Sequence, residues 1–179
     1  MSTITVKELA APTGFDLKIA SGETLDLKSQ GTVTMPAGAI LQVVQGTVAT
    51  QSGTNSNSYQ TIVSASITPT STSSKILARA SATVYLATNA GSRSEFTIFR
   101  DSTNVATGTS STSMLAMGNR GADNSTEVGH PSVEFLDSPS STSAITYAFK
   151  ARNNDASAGT FNWCWDNSVA EITLMEVAG

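Results

Sequence analysis

The sequence predicts an all-β protein, a β-sandwich or jelly roll carrying a short-repeat β arm at its N-terminus. Three observations predict it. Apolar side chains recur at every second position through most of the chain, the period of a half-buried strand. Ser and Thr make up more than a quarter of the 179 residues. Charged residues are only 13%, about half the usual share. A helical bundle would show a three-to-four period and a disordered acidic tail would carry more charge, so both are disfavoured. The length suits one domain with an appendage and is enough to bury a core.

The N-terminal segment has its own period. Leu17 with Ile19, Leu25 with Leu27, Val33 with Met35 and Leu41 with Val43 are apolar pairs that return every eight residues. Turn-like Ser21-Gly22, Ser29-Gln30-Gly31 and Ala37-Gly38 separate them. Each unit offers two inward side chains and a turn, too little for a core, so neighbouring units or neighbouring chains must supply the rest. Two readings stay open: an arm over 1–45 that anchors or trimerises, and a meander edge of the main sheet. Residues 46–60, rich in Ser, Thr, Asn and Gly, read as a linker, and 61–179 as the sandwich domain.

Within 61–179 the strands follow from alternation. Ile76 to Leu86 alternates through Ala78, Ala80, Ala82 and Val84. Glu95 to Arg100 runs into the polar turn Asp101-Ser102-Thr103-Asn104 and out through Val105-Ala106-Thr107, a hairpin. Met117 to Pro131, with Gly118, Gly121 and Gly129, reads as a long loop. Val133 and Phe135 mark a short strand. Ser143 to Arg152 puts Ile145, Tyr147, Phe149 and Ala151 on one face and Thr146, Ala148, Lys150 and Arg152 on the other. The last run sets Ile172 and Leu174 against Glu171 and Thr173. From Gln60 onward this gives about eight strands, with little helix.

Charge and special residues narrow the function. A formal charge of −4 supplies no basic field for nucleic acid or for an anionic membrane surface. No apolar run reaches the roughly 20 residues needed to span a bilayer, and Met1-Ser2-Thr3-Ile4 lacks the start of a secretory signal. A soluble protein made in the cytoplasm is expected. Cys164 is the only cysteine, so no intrachain disulfide forms, and with His130 alone it cannot complete the usual four-ligand zinc site. No cofactor is expected.

No catalytic pattern emerges. His130 precedes Pro131, which favours an extended loop residue, and no Gly-x-Ser-x-Gly elbow surrounds any serine. Asp101, Asp123, Glu127, Glu134, Asp137 and Asp155 show no spacing that singles out a carboxylate pair. Asp123-Asn124-Ser125-Thr126-Glu127 offers oxygen ligands but lacks the calcium-loop pattern, and reads as a solvated loop tip. On a strand Trp163 and Trp165 would share a face beside Asn162, Asp166 and Asn167. That pair could stack on a sugar, fill the core or meet another subunit.

The segment Val33-Thr34-Met35-Pro36-Ala37-Gly38-Ala39-Ile40-Leu41-Gln42-Val43-Val44-Gln45 resembles the opening of small virion surface proteins of tailed bacteriophages. Ile67-Thr68-Pro69-Thr70-Ser71-Thr72-Ser73-Ser74-Lys75-Ile76-Leu77, Phe96-Thr97-Ile98-Phe99-Arg100-Asp101, Phe135-Leu136-Asp137-Ser138-Pro139 and Ile172-Thr173-Leu174-Met175-Glu176-Val177 are similar to the same proteins in the same order. The resemblance implies a trimeric jelly roll of the C1q/tumour-necrosis-factor type, with the last strand near the threefold axis. Tyr147, Phe149, Ile172 and Leu174 are then candidates for core or axis packing. It also implies a structural protein rather than an enzyme. The expected role is a homotrimeric capsid decoration (cement) protein on the virion surface, held through its arm to the major capsid protein or another virion protein. The alternative is a tail-fibre or receptor-binding tip that recognises a host glycan.

Overall fold

A computed structural model of the chain describes residue 21 and residues 35–87, 93–107, 113–118, 126–154 and 160–179. The strands are β1 (Ile40–Val48), β2 (Ser52–Thr54), β3 (Gln60–Ile67), β4 (Lys75–Ser81), β5 (Val84–Ala87), β6 (Arg93–Arg100) and β7 (Thr103–Asn104). They continue with β8 (Leu115–Gly118), β9 (Thr126–Gly129), β10 (Ser132–Asp137), β11 (Ile145–Asn153), β12 (Phe161–Trp163) and β13 (Ala170–Val177). Among the described residues the only helical element is a 3₁₀ turn at Trp165–Asn167.

The pairing defines the wiring. One sheet runs β1-β13-β4-β10, and a second runs β2-β12-β5-β9 in the same order of chain segments. They are the two ends of four long antiparallel strands, each broken once. Ala82 N donates to Pro131 O at 3.3 Å and Trp165 N to Thr83 O at 3.4 Å, so hydrogen bonds continue across the breaks. The opposing sheet runs β3-β11-β6-β7, with β8 pairing β6 beside β7. The chain therefore passes between two four-position sheets, first β1/β2, then β3, β4/β5, β6, β7/β8, β9/β10, β11 and β12/β13. This is jelly-roll wiring, as expected. The broken strands explain why eleven strands rather than about eight follow Gln60 among the described residues.

Alternation builds the core. Ile76, Ala78, Ala80, Ala82, Val84 and Leu86 face inward without interruption across the β4/β5 break, and Ile145, Tyr147, Phe149 and Ala151 face them from β11. Phe96 links the sheets, 6.0 Å from Phe149 between ring centroids and edge-on to Phe161 at 5.5 Å. The hairpin after β6 forms as read, with Phe99 opposite Asn104 and Arg100 opposite Thr103. Met117 and Gly118 end β8 and Thr126 begins β9, so the ends of the expected long loop are strands.

Two glycines fix how β1 enters. Pro36-Ala37-Gly38-Ala39 closes a turn through Ala39 N to Pro36 O at 3.1 Å, and Gly38 takes φ +88, which a type II turn demands at its third position. Gly38 N then donates to Ala178 O and Ala178 N to Ala39 O, both at 2.8 Å, starting the β1–β13 ladder. At Gly46 a Cβ would lie 2.2 Å from Ser64 O. The missing side chain lets β1 close against β3 at the edge of the sandwich.

The expected boundaries need correction. Residues Met35–Gly179 form one compact unit. The boundary at 45/46 falls inside β1, which pairs with β13 from Ile40 to Val48. The stretch 46–60 contributes the end of β1, all of β2 and the start of β3, so it is sandwich and not linker. Of the eight-residue repeats, the Leu41/Val43 unit is an edge strand of the main sheet. Leu17, Ile19, Leu25, Leu27 and Val33 lie outside the described residues.

Candidate functional site

Since inward positions of the long strands are buried, what the protein presents is set by the alternate positions. In register across all four strands, Val43 lies opposite Met175, Met175 opposite Leu77, and Leu77 opposite Leu136. Four apolar side chains thus form one row on the outer face. Val43 is 58% exposed and Leu136 50%, while Met175 and Leu77 are half-buried between them. Ile40 and Val177 extend the apolar surface at one end, beside Lys75. The next row is Gln45, Thr173, Arg79 and Glu134. Strand positions facing water ordinarily alternate to polar residues, so a row of Val, Met, Leu and Leu there departs from that pattern. Lys75 and Arg79 on β4 lie near Glu134 on β10 and Glu171 on β13, a mixture of signs that a second copy can complement.

Buried polar groups hold this face rigid. Glu176 is completely buried on the inner side of β13. Gln42 Nε2 donates to its Oε2 at 2.6 Å, and Thr70 donates to Oε1 from both N and Oγ1 at 2.7 Å. Gln42 Nε2 also reaches Thr68 O at 2.7 Å. Burial alone would raise this carboxyl; Ser74, Gln42 and Thr70 outweigh it and hold Glu176 at about 2. The buried Ser74 hydroxyl sits in this cluster without a partner in strict hydrogen-bond geometry. Asp137 at the other edge takes Tyr147 Oη at 2.6 Å and Arg100 Nη1 at 2.8 Å on the same oxygen, tying β10 to β11 and β6. Burial and then Asp137 push the Tyr147 phenol far above the ordinary tyrosine range.

Tyr147, Phe149, Ile172 and Leu174 all have no exposed surface within one chain. Of the two expectations for them, core or axis packing, this burial fits the core: a side chain with no accessible surface has nothing to give a neighbouring subunit. On β13 the outward positions are Glu171, Thr173, Met175 and Val177 instead. Of the anchoring candidates, Val43 and Met35 are exposed and Leu41 is half-buried.

The tryptophan expectation also changes. Trp163 is buried in the core, 5.6 Å from Phe161. Cys164 then takes φ +55, ending the strand alternation, and its Sγ meets Val48 O at 3.3 Å. Trp165 turns out of line and stacks on Tyr85, 4.2 Å between centroids at 20°. Asp166 and Asn167 follow at φ +55 and +57. The left-handed region costs Cys164 about 1 kcal/mol, while Asp and Asn adopt it more readily, so the strain of this turn falls chiefly on Cys164. The signal that could have found Tyr85 was parity: it continues Leu77, Arg79, Ser81 and Thr83 outward along β4 and β5. His130 is exposed after β9, with Nδ1 3.2 Å from Thr83 Oγ1. Among the described residues no three His, Cys, Asp or Glu side chains gather as a metal site would require.

No family model matches the sequence, and no curated protein matches it. Solved structures do. The structure of the infectious bursal disease virus Gx strain is similar at 12% identity and a TM-score of 0.40, over 88% of this chain and 38% of that one. The VP2 subviral particle of the same virus is similar at 12% identity and a TM-score of 0.37, over 87% of this chain and 42% of that one. The chain spans about two fifths of the length of these chains. At these scores the likeness carries no argument, and the jelly roll rests on the strand order described above.

Proposed function

We propose that the chain is a structural protein of a phage virion, a homotrimeric capsid decoration protein that associates through the outer face of the β1-β13-β4-β10 sheet. The observation that carries this reading is the row Val43, Met175, Leu77 and Leu136, an apolar surface with nothing in its own chain to cover it among the described residues. The resemblance to tailed-phage virion surface proteins supports the role, and its motifs now have structural reasons. Met35-Pro36-Ala37-Gly38 is the turn into β1, and the last motif contains β13. Covering a half-exposed Val or Leu contributes about 1 kcal/mol, and a closed ring uses the row of each subunit, so the contribution is repeated three times. Docking on the shell is assigned to residues 1–34, whose apolar pairs need a partner, and three such arms act with high effective concentration.

Two measurements test this. Native mass spectrometry of the full chain should give a trimer, and Leu136→Asp or Leu77→Asp should give monomers with an unchanged far-UV circular dichroism spectrum. A wild-type monomer, or a trimer indifferent to both changes, overturns the assembly face. Removing residues 1–34 should abolish binding to undecorated capsids while the trimer persists; retained binding overturns the arm. A tail-fibre or receptor-binding tip would instead leave the head undecorated, and labelling the protein on the particle separates the two.

A further inference from the structure

The outer face of the four long strands carries a second feature at its other end. Tyr85 is eight positions beyond Leu77 with the same parity. In register across the sheet, Gly53 lies opposite Asn162, Asn162 opposite Tyr85, and Tyr85 opposite Val128. Trp165 lies flat on Tyr85, and both rings are partly exposed. Val128 is 62% exposed beside them. A Cβ at Gly53 would lie 2.4 Å from Asn162 Oδ1, so the absent side chain leaves the Asn162 amide its place on this face. Asp166 and Asn167, the two residues after Trp165 in the same left-handed turn, are exposed.

We propose that the Tyr85–Trp165 stack, rimmed by Asn162, Asp166 and Asn167, is a binding site for an uncharged sugar residue of a surface polysaccharide. A pyranose has an apolar face of axial C–H groups and a periphery of hydroxyls. A flat aromatic surface suits the first, and neighbouring amide and carboxylate groups suit the second, accepting from and donating to hydroxyls. The Asp166 carboxylate and the formal charge of −4 disfavour a phosphorylated or acidic ligand. Strain at Cys164 supports a task for the turn: its left-handed backbone, followed by Asp166 and Asn167 in the same region, yields a partly exposed stack. The inference is separate from the trimer reading, because it concerns other residues and stands whether or not copies associate through the apolar row.

The test is an array of immobilised bacterial surface oligosaccharides probed with the full-length protein, followed by titration of any hit. Wild type should retain at least one uncharged oligosaccharide. Trp165→Ala and, independently, Asn162→Ala should each weaken it at least tenfold, with unchanged circular dichroism. Lys150→Ala on the opposing sheet should leave it within twofold. No oligosaccharide held at millimolar concentration, or a hit indifferent to both changes, overturns the proposal. So does a loss of the native trimer mass on Trp165→Ala, which makes the stack a contact between copies. Leu136→Asp is the separating control: it should dissolve the trimer and leave each subunit's intrinsic sugar affinity within twofold.

Discussion

Glu176 offers the sharpest test of how the sandwich is locked. Replacing it with Gln keeps the shape and removes the charge. The native carboxylate accepts from Gln42 and twice from Thr70, so all of its partners donate. An amide must turn an NH2 group toward one of them, leaving two donors face to face. The magnitude follows from the titration. Glu176 is held at about 2 against an ordinary 4.5, and each unit is worth 1.36 kcal/mol, which makes the ionised form about 3 kcal/mol more stabilising in the fold than out of it. Because the folded value is depressed, this contribution is fully present above pH 4.5 and is lost as pH falls from 4.5 through 2. Wild type should therefore exceed Glu176→Gln by about 3 kcal/mol at pH 7, roughly 10 °C in melting temperature for a unit of this size. The gap should close by about pH 2. The assay is a set of thermal and urea unfolding curves of both proteins between pH 2 and 7. Parallel stability profiles for the two proteins between pH 5 and 2 would refute the assignment, because the acid-labile contribution would then lie elsewhere.

Two further changes probe the same framework. Gly46→Ala places a Cβ 2.2 Å from the Ser64 carbonyl, and since the obstacle is backbone, the β1–β3 edge must open. A loss of about 2 kcal/mol is expected, read as a fall in urea midpoint, and an unchanged midpoint would mean that the edge is not closed there. Tyr147→Phe removes the hydroxyl from Asp137 while leaving Arg100 on the same oxygen, for a cost of about 1–2 kcal/mol. In the wild type the Tyr147 phenol should stay protonated through the pH range where tyrosine ordinarily ionises, so absorbance titration near 295 nm should lack one tyrosine equivalent until the protein unfolds. Titration of all three tyrosines in the folded protein would contradict the buried Tyr–Asp pair.

The core was legible because period two is a direct consequence of strand geometry. Every alternating residue read as inward, from Ile76 through Leu86 and from Ile145 through Ala151, is buried. What failed were the places where composition stood in for geometry. Residues 46–60 look like a linker because Gly, Ser, Thr and Asn are common in linkers. Here Gly46 and Gly53 are sites of close approach, and β2 needs only its backbone ladder with β12 to belong to the sheet. Tyr147, Phe149, Ile172 and Leu174, read as core or axis, resolve to core for a related reason: the most apolar positions of β11 and β13 are those the chain itself already covers.

The outer apolar row was nevertheless present in the sequence, one residue out of step with the positions read as apolar. A strand in a lone sandwich can be apolar inward and polar outward, and most of β4, β10 and β13 obeys that. Leu77, Leu136 and Met175, with Val177 at the end of β13, break it, each apolar at an outward position. The first three lie far apart in the chain, so no single segment reveals them as a group. Only the register, Met175 opposite Leu77 and Leu77 opposite Leu136, turns three isolated exceptions into one surface. The Tyr85–Trp165 stack was hidden differently. Its two residues are brought together by a turn that departs from strand geometry at Cys164, and extending the alternation through that residue pairs Trp165 with the wrong neighbour. In a jelly roll, alternation identifies what is spent on folding. What is left for a surface to present lies in the outward exceptions and at the points where alternation stops, and both acquire neighbours only when the strands are placed side by side.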